Sequence, residues 1–422
     1  MITDTKSLVQ ALRSEIKEQH RREQEERENE EALSWVSSIP ILDHHEDARE
    51  GRTPDTGQWV FTKPEFLNWE TASSSSLLWI HGIPGAGKTK LVTTIVDHFL
   101  QLRRSSQDPV HVMGNSSLSN HEPPVGISDP SPLAFFYCRR ADAERRVPEN
   151  VLRSFLKQLA LSHNKSLASL RTTYMEKKRE GFLSRTLSTK ECQDLLIKMI
   201  SLCPEVILIL DALDECDEQS RHKLITVLHQ LVDHHLPVKI LISSRRDDDI
   251  TAEFEEKVNF SLSATENHDD IMRFVQENIQ EYRNSKRTKR KLNSAISADL
   301  EQQIIKVFLE KSNGMFQWAA LHLAHLLSLD RPSDISKALQ SLPRGLEKTY
   351  GEIFERITNP DNSLREIAIR TFLWLLAQGG AAVGDQLLAV VCQDLDADEI
   401  HPVDIDPETV LKACQNLVVQ DK

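Results

Sequence analysis

Apolar residues along this chain follow two regimes. Up to about residue 264, short apolar runs alternate with stretches of helical period; beyond it only the helical period continues. "SLLWIHG" (76–82), "LAFFYC" (133–138), "EVILILDALDECDE" (205–218) and "PVKILISSRR" (237–246) contain continuous apolar runs closed by glycine or charge. That is the pattern of strands buried on both faces. "KVNFSLSA" (257–264) reads as a weaker fifth strand. "KTKLVTTIVDHFLQLRR" (88–104), "VLRSFLKQLAL" and "CQDLLIKMISL" carry apolar residues at helical spacing. The alternation predicts an α/β fold, a parallel sheet with helices on both faces. After residue 265, segments such as "DLEQQIIKVFLEK", "GMFQWAALHLAHLLSL" and "LREIAIRTFLWLLAQ" predict a separate helical part.

The connecting regions read differently. Residues 4–35 predict one helix, with Leu8, Leu12 and Ile16 at every fourth position before an almost wholly charged second half. Without a sustained apolar seam this half makes no strong coiled coil. It is a solvated helix or one that docks a partner or a second copy. "DHHEDAREGRTPDTGQW" (43–59) is rich in turn formers, and 105–132 reads as a Ser/Pro/Gly/Asn-rich insertion loop. No repeat of 30–45 residues marks a solenoid or propeller.

"GIPGAGKT" (82–89) lies between the first strand and the first sheet-covering helix. It fits the spacing G-x-x-x-x-G-K-[ST] in the context the motif requires. Gly82, Gly85 and Gly87 permit a tight bend; with Ile83, Pro84 and Ala86 they form a loop whose amides can converge on phosphate oxygens. The helix beginning near Lys88 adds the positive end of its dipole. Lys88 supplies a point charge for the outer phosphates, and the Thr89 hydroxyl suits Mg²⁺.

A second strand ends in Asp211, a carboxylate expected to be buried and so to need a cation, which Mg²⁺ held between Thr89 and Asp211 would provide. Asp214 and Glu215 gather further negative charge there, fit for orienting an attacking water; which of the two does so stays open. Arg245, at the end of "ILISSRR", should emerge on the same sheet edge and reach the terminal phosphate. The alternative is a surface arginine paired with Asp247–Asp249.

Bulk properties narrow the class. The chain has 422 residues and a formal net charge of −13, which disfavours a specific nucleic-acid binder. Its N-terminus lacks a signal-peptide core, and no apolar run spans a bilayer, so a cytoplasmic location is expected. The six cysteines have no C-x-x-C spacing and read as reduced thiols. Neither His44–His45 nor His234–His235 has a third ligand at metal spacing, His322 and His325 read as core or boundary residues, and "KRTKRK" (286–291) reads as a solvated loop.

In order, "GIPGAGKT", "LILDALDECDE" and "ILISSRR" resemble the NACHT branch of STAND NTPases. Ala212 directly after the aspartate and the acids Asp214 and Glu215 sharpen the resemblance. The flanks "GRTPDTGQWVFTKPEFLNWE", "AFFYCRRADAERRVPENVLRSFLKQLA" and "LPRGLEKTYGEIFERI" resemble fungal members in particular, over about residues 35–422. The resemblance implies non-self recognition and regulated cell death, and this organisation: charged helix and linker (1–50), NACHT P-loop NTPase domain (51–264), helical domain (265–345) and partial winged-helix domain (346–422). Where related ATPases carry Gly-x-Pro, this chain has "NGMFQW" (313–318). The family's phosphate-contacting histidine would fall beyond residue 422, which predicts poor retention of ADP.

The expected ligands are ATP or ADP with Mg²⁺; GTP is not excluded, although no N/T-K-x-D guanine signature occurs. The leading expectation is a slow nucleotide-dependent signalling switch. The others are a general P-loop ATPase, such as a kinase or motor, and a non-catalytic adaptor that pairs with longer relatives through the N-terminal helix or the helical domains.

Overall fold

A computed structural model describes residues 2–107, 131–183, 186–284, 296–329, 331–360, 362–380, 384–391, 393, 406–415 and 417–418. Most of the expected insertion loop and all of "KRTKRK" lie outside the described residues.

The chain begins with α1 (Ile2–Val36) and α2 (Ile41–Arg49), then a short 3-10 turn over Gln58–Thr62 and α3 (Pro64–Glu70). The sheet region follows as β1 (Ser76–Gly82), α4 (Lys88–Gln107), β2 (Leu133–Tyr137), α5 (Pro148–Ser162), α6 (Asn164–Glu180), α7 (Thr189–Ile200), β3 (Val206–Asp211), α8 (Arg221–Asp233), β4 (Val238–Ser244), α9 (Asp248–Phe254) and β5 (Val258–Leu262). The strands form one sheet of order β2-β3-β4-β1-β5, and every pairing is parallel. Every residue of β2, β3 and β4 is buried, as strands covered on both faces must be. The apolar runs of the sequence are therefore the sheet's interior. Of the two edge strands, β2 is fully buried beneath α5 and α2, whereas β5 has exposed and buried positions.

The stretch 43–59, expected as polar turns, is partly helical. α2 packs against α4 and β2, with Ile41 and His45 buried. The imidazole of His45 sits between the Tyr137 hydroxyl (2.7 Å) and the Asp97 carboxylate (3.0 Å). Two internal side-chain partners explain a histidine where the polar pattern pointed to solvent.

α1 also departs from a purely solvated helix. Ala32 and Val36 are buried in the sheet's core, Glu31 accepts from Tyr174 and Lys178 of α6, and Trp35 packs on Tyr174. Its charged half finds complementary charge on α6, including an Arg171–Glu25 ion pair at 3.6 Å. Earlier in the helix, Ile16 is exposed.

Beyond β5 every described element is helical: α10 (His268–Asn284), α11 (Ala298–Ser312), α12 (Phe316–Ser328), and further helices over Pro332–Ser341, Leu346–Thr358, Arg365–Ala377, Gly384–Val391 and Pro407–Ala413. A second core gathers around Ile304, Phe308, Trp318 and Leu323, and a third, smaller one around Ile353, Ile357 and Ala368. His322, buried on α12, faces Thr349 across 3.0 Å and links the last two cores.

Candidate functional site: a phosphate-loop cleft

β1 delivers the chain to Gly82, whose missing side chain lets Leu262 of β5 pass closely; a Cβ there would lie 3.2 Å from the Leu262 Cβ. The loop then turns through Gly85 and Gly87, at φ +74° and +92°, a conformation L residues avoid. Ala86 N–H closes a turn on Ile83 O at 3.3 Å. α4 starts at Lys88, so its first amides lack partners within the helix and face the loop's concavity. The Lys88 ammonium donates to the carbonyls of Gly82 (2.8 Å) and Ile83 (3.2 Å). Burial lowers its pKa, while the nearby Asp214 and Asp211 oppose that shift. An anion in the loop would give this charge a better partner than two carbonyls.

Asp211 ends β3, two strands from β1 with β4 between them. It is 2% exposed, and burial pushes its pKa up to about 6 despite hydrogen bonds from Ser243 and Thr89 and the charge of Lys88. Ser243 of β4 donates to Asp211 Oδ1 and accepts from the Ala212 amide at 3.0 Å. Ala212 has φ 55°, a left-handed turn that a bulky side chain would strain. A buried carboxylate beside a threonine hydroxyl, with no direct ion-pair partner assigned to it, is a donor set that fits Mg²⁺. Thr89 and Asp211 would hold the ion, and its charge would offset the cost of ionising Asp211.

The acid pair divides into two environments. Asp214 is buried; Oδ1 accepts the Arg245 amide at 2.9 Å, and Oδ2 lies 3.1 Å from Arg245 Nε. Glu215 accepts the Arg140 amide at 3.0 Å through Oε2 and lines the cleft. Arg245 also lines the cleft and is half exposed. Its carboxylate partner is Asp214; Asp247 and Asp249 pair instead with the buried Arg221. The alternative pairing considered for Arg245 is thus corrected: Arg221, at the start of α8, already takes those two acids.

Pro84 to Thr89, Asp211, Asp214, Glu215 and Arg245 line one cleft of about 380 Å³. Ile83 is 44% exposed, with its carbonyl on Lys88. The rest of the cleft's lining was not foreseen. Arg52, Thr53, Thr56 and Trp59 line it together with Asp270, Phe274, Phe316 and Gln317 of the helical part. Arg52 is held by Asp97 (2.6 Å) and Thr93 (3.0 Å), and Asp270 accepts from Gly57 N (2.8 Å) and Trp59 Nε1 (3.0 Å). No periodicity could have assigned these residues; the only signal was the position of "GRTPDTGQW" just ahead of the phosphate loop.

"NGMFQW" rests directly on that loop. Gln317 N–H donates to Gly85 O at 3.1 Å, and Phe316 lies 3.1 Å from where a Cβ on Gly87 would stand. Asn267 donates to the carbonyls of both Ala86 and Gly314, each at 2.8 Å. No cluster of three or more metal-ligating side chains occurs among the described residues. No described helix is long and apolar enough to cross a membrane.

Residues 55–245 match the Nephrocystin 3, N-terminal family. The chain is 26% identical over 327 residues to the vegetative incompatibility protein HET-E-1 of Podospora anserina, covering 75% of this chain and 22% of that protein. It thus spans about a fifth of the length of that curated relative. Similar solved structures include Cdc6p from Pyrobaculum aerophilum, with 14% identity, TM-score 0.37 and coverage of 90% of this chain and 83% of that one. Another is the Walker-type ATPase PABY2304 of Pyrococcus abyssi, with 13% identity, TM-score 0.38 and coverage of 90% and 99%.

Proposed function

We propose that this chain is a fungal NACHT-like protein on a P-loop NTPase fold, and that it binds ATP and ADP with Mg²⁺ and acts as a slow nucleotide-dependent signalling switch. The observation that carries the reading is the meeting, in one cleft, of the loop residues Pro84 to Thr89, the Lys88 side chain among them, and the buried carboxylate of Asp211.

The loop amides and Lys88 bind the phosphates, and Thr89 and Asp211 hold the metal, which supplies charge neutralisation at the outer phosphates. Glu215, on the cleft wall, is placed to orient water. Asp214 has both oxygens engaged by Arg245 and is better suited to hold that arginine. Thr56, Trp59, Phe274 and Phe316, which line the same cleft, offer apolar and aromatic surface for the base.

Switching follows from who touches the loop. The helical part contributes Asn267, Phe316 and Gln317 to the same cleft, so a nucleotide favouring one arrangement of loop and helices shifts their relative populations. By analogy with the Podospora relative, the signal is read out in an incompatibility response. Calorimetric titration with ATP and Mg²⁺ tests the reading. A saturable site with turnover far below one per second supports it; no saturable site refutes it, and sustained multiple turnovers per second favour a motor or kinase.

A further inference from the structure

Cys138 directly follows β2, and Cys216 directly follows the Leu213–Glu215 turn that carries the acid pair. Although 78 residues apart in sequence, their sulfurs lie 3.3 Å from each other, and both side chains are buried. Four contacts hold the two segments face to face. Cys138 N donates to Asp211 O (3.0 Å), Arg140 N to Glu215 Oε2 (3.0 Å), Arg140 Nη2 to Asp214 O (2.9 Å) and Asp217 N to Arg146 O (2.8 Å). The backbone thus aligns the thiols, and closing from contact to a bond of about 2.05 Å requires a sulfur shift of only about 1 Å.

We propose that Cys138 and Cys216 form an oxidative modification site that takes a hydroperoxide as oxidant and closes to a disulfide. One thiol gives up its proton and attacks a peroxide oxygen; the O–O bond breaks, the sulfur becomes a sulfenic acid, and the departing hydroxide takes up that proton and leaves as water. The second thiol then attacks that sulfur, the S–O bond breaks, and a second water leaves with the thiol proton. Two thiols lose two electrons in total, and hydrogen peroxide is reduced to two waters. Both thiols are buried, so oxidation is slow and selects small neutral oxidants. The bond ties the acid turn to the end of β2, restricting the segment that carries Asp214 and Glu215.

The test treats the full chain with hydrogen peroxide, alkylates it in denaturant and maps peptides without reduction. A peptide pair joining residues 138 and 216, released by dithiothreitol, is the expected result. Recovery of both as alkylated thiols at every dose that leaves the circular dichroism unchanged overturns the proposal, as does pairing of either with another cysteine. Cys138→Ser and Cys216→Ser should each abolish the pair, while the wild-type result stands alone if either variant misfolds. Hydrogen exchange at residues 213–217 should slow several-fold on oxidation; unchanged exchange in the disulfide form overturns the restriction. Neither readout uses nucleotide, so failure here is distinct from failure of the nucleotide reading.

Discussion

The amide of Gln317 donates to the carbonyl of Gly85 at 3.1 Å, joining the first turn of α12 to the phosphate loop. The helical part therefore touches the loop through a main-chain hydrogen bond, with Phe316 lying over Gly87 beside it.

Gly314 sets that contact's geometry. It has φ +78°, and a Cβ would lie 2.7 Å from Ala264 Cα and 2.9 Å from its nitrogen, both main-chain atoms that cannot rotate away. Gly314→Ala should cost about 1–3 kcal/mol. A lowered melting temperature together with faster nucleotide dissociation is expected; an unchanged melt contradicts the account.

Asp211 carries an electrostatic cost without a cation. Its folded pKa, about 6, lies above the ordinary 3.8, so the folded state holds a proton that the unfolded state has released. Stability from this group therefore falls as pH rises from about 4 to 6, by up to about 3 kcal/mol. Asp211→Asn should raise the melting temperature of the ligand-free protein at pH 7 and weaken Mg²⁺-dependent nucleotide binding. Paired thermal melts with and without Mg²⁺-ATP measure both.

On the proposed reading, Lys88 would exchange its contacts to two loop carbonyls for phosphate. Lys88→Ala removes a charge-assisted contact of about 1.5–3 kcal/mol, or roughly 10- to 100-fold in affinity. Titration calorimetry would show this directly, and unaltered affinity would remove the loop from the binding site.

His322 gives a pH signature away from the cleft. Burial, helped by the charges of Arg356, His325 and Lys311, lowers its pKa from 6.5 to about 4. A depressed folded pKa means stability is present above 6.5 and is lost as pH falls through 4, by up to about 3 kcal/mol. His322→Leu should flatten the denaturation midpoint between pH 6.5 and 4. Thr349 keeps its hydrogen bond to Gly345 O in that variant, so no hydroxyl is orphaned.

The strands were legible because four of them are continuous apolar runs, and burial on both faces demands that composition. The phosphate loop and Asp211 were legible for a related reason: glycine spacing and a carboxylate at a strand end are local signals. The cleft's other half was not. Asn267, Asp270, Phe316 and Gln317 reach it only through packing of helices more than 170 residues downstream of the loop. Ser243, which steadies Asp211, carries no local signal; only the pairing of β4 with β3 brings the two side chains together. α2 was missed because His45 and Asp97, polar in any pattern, satisfy each other internally.

α1 is rooted in the sheet's core at Ala32 and Val36 and runs back to Ile2 as a single helix of 35 residues. At 1.5 Å per residue that is roughly 50 Å of rod. It makes a lever arm: a tilt of about 10° where it leaves the core would carry its tip through roughly 9 Å. A small rotation at the helix's root would thereby become a large displacement at its distal end.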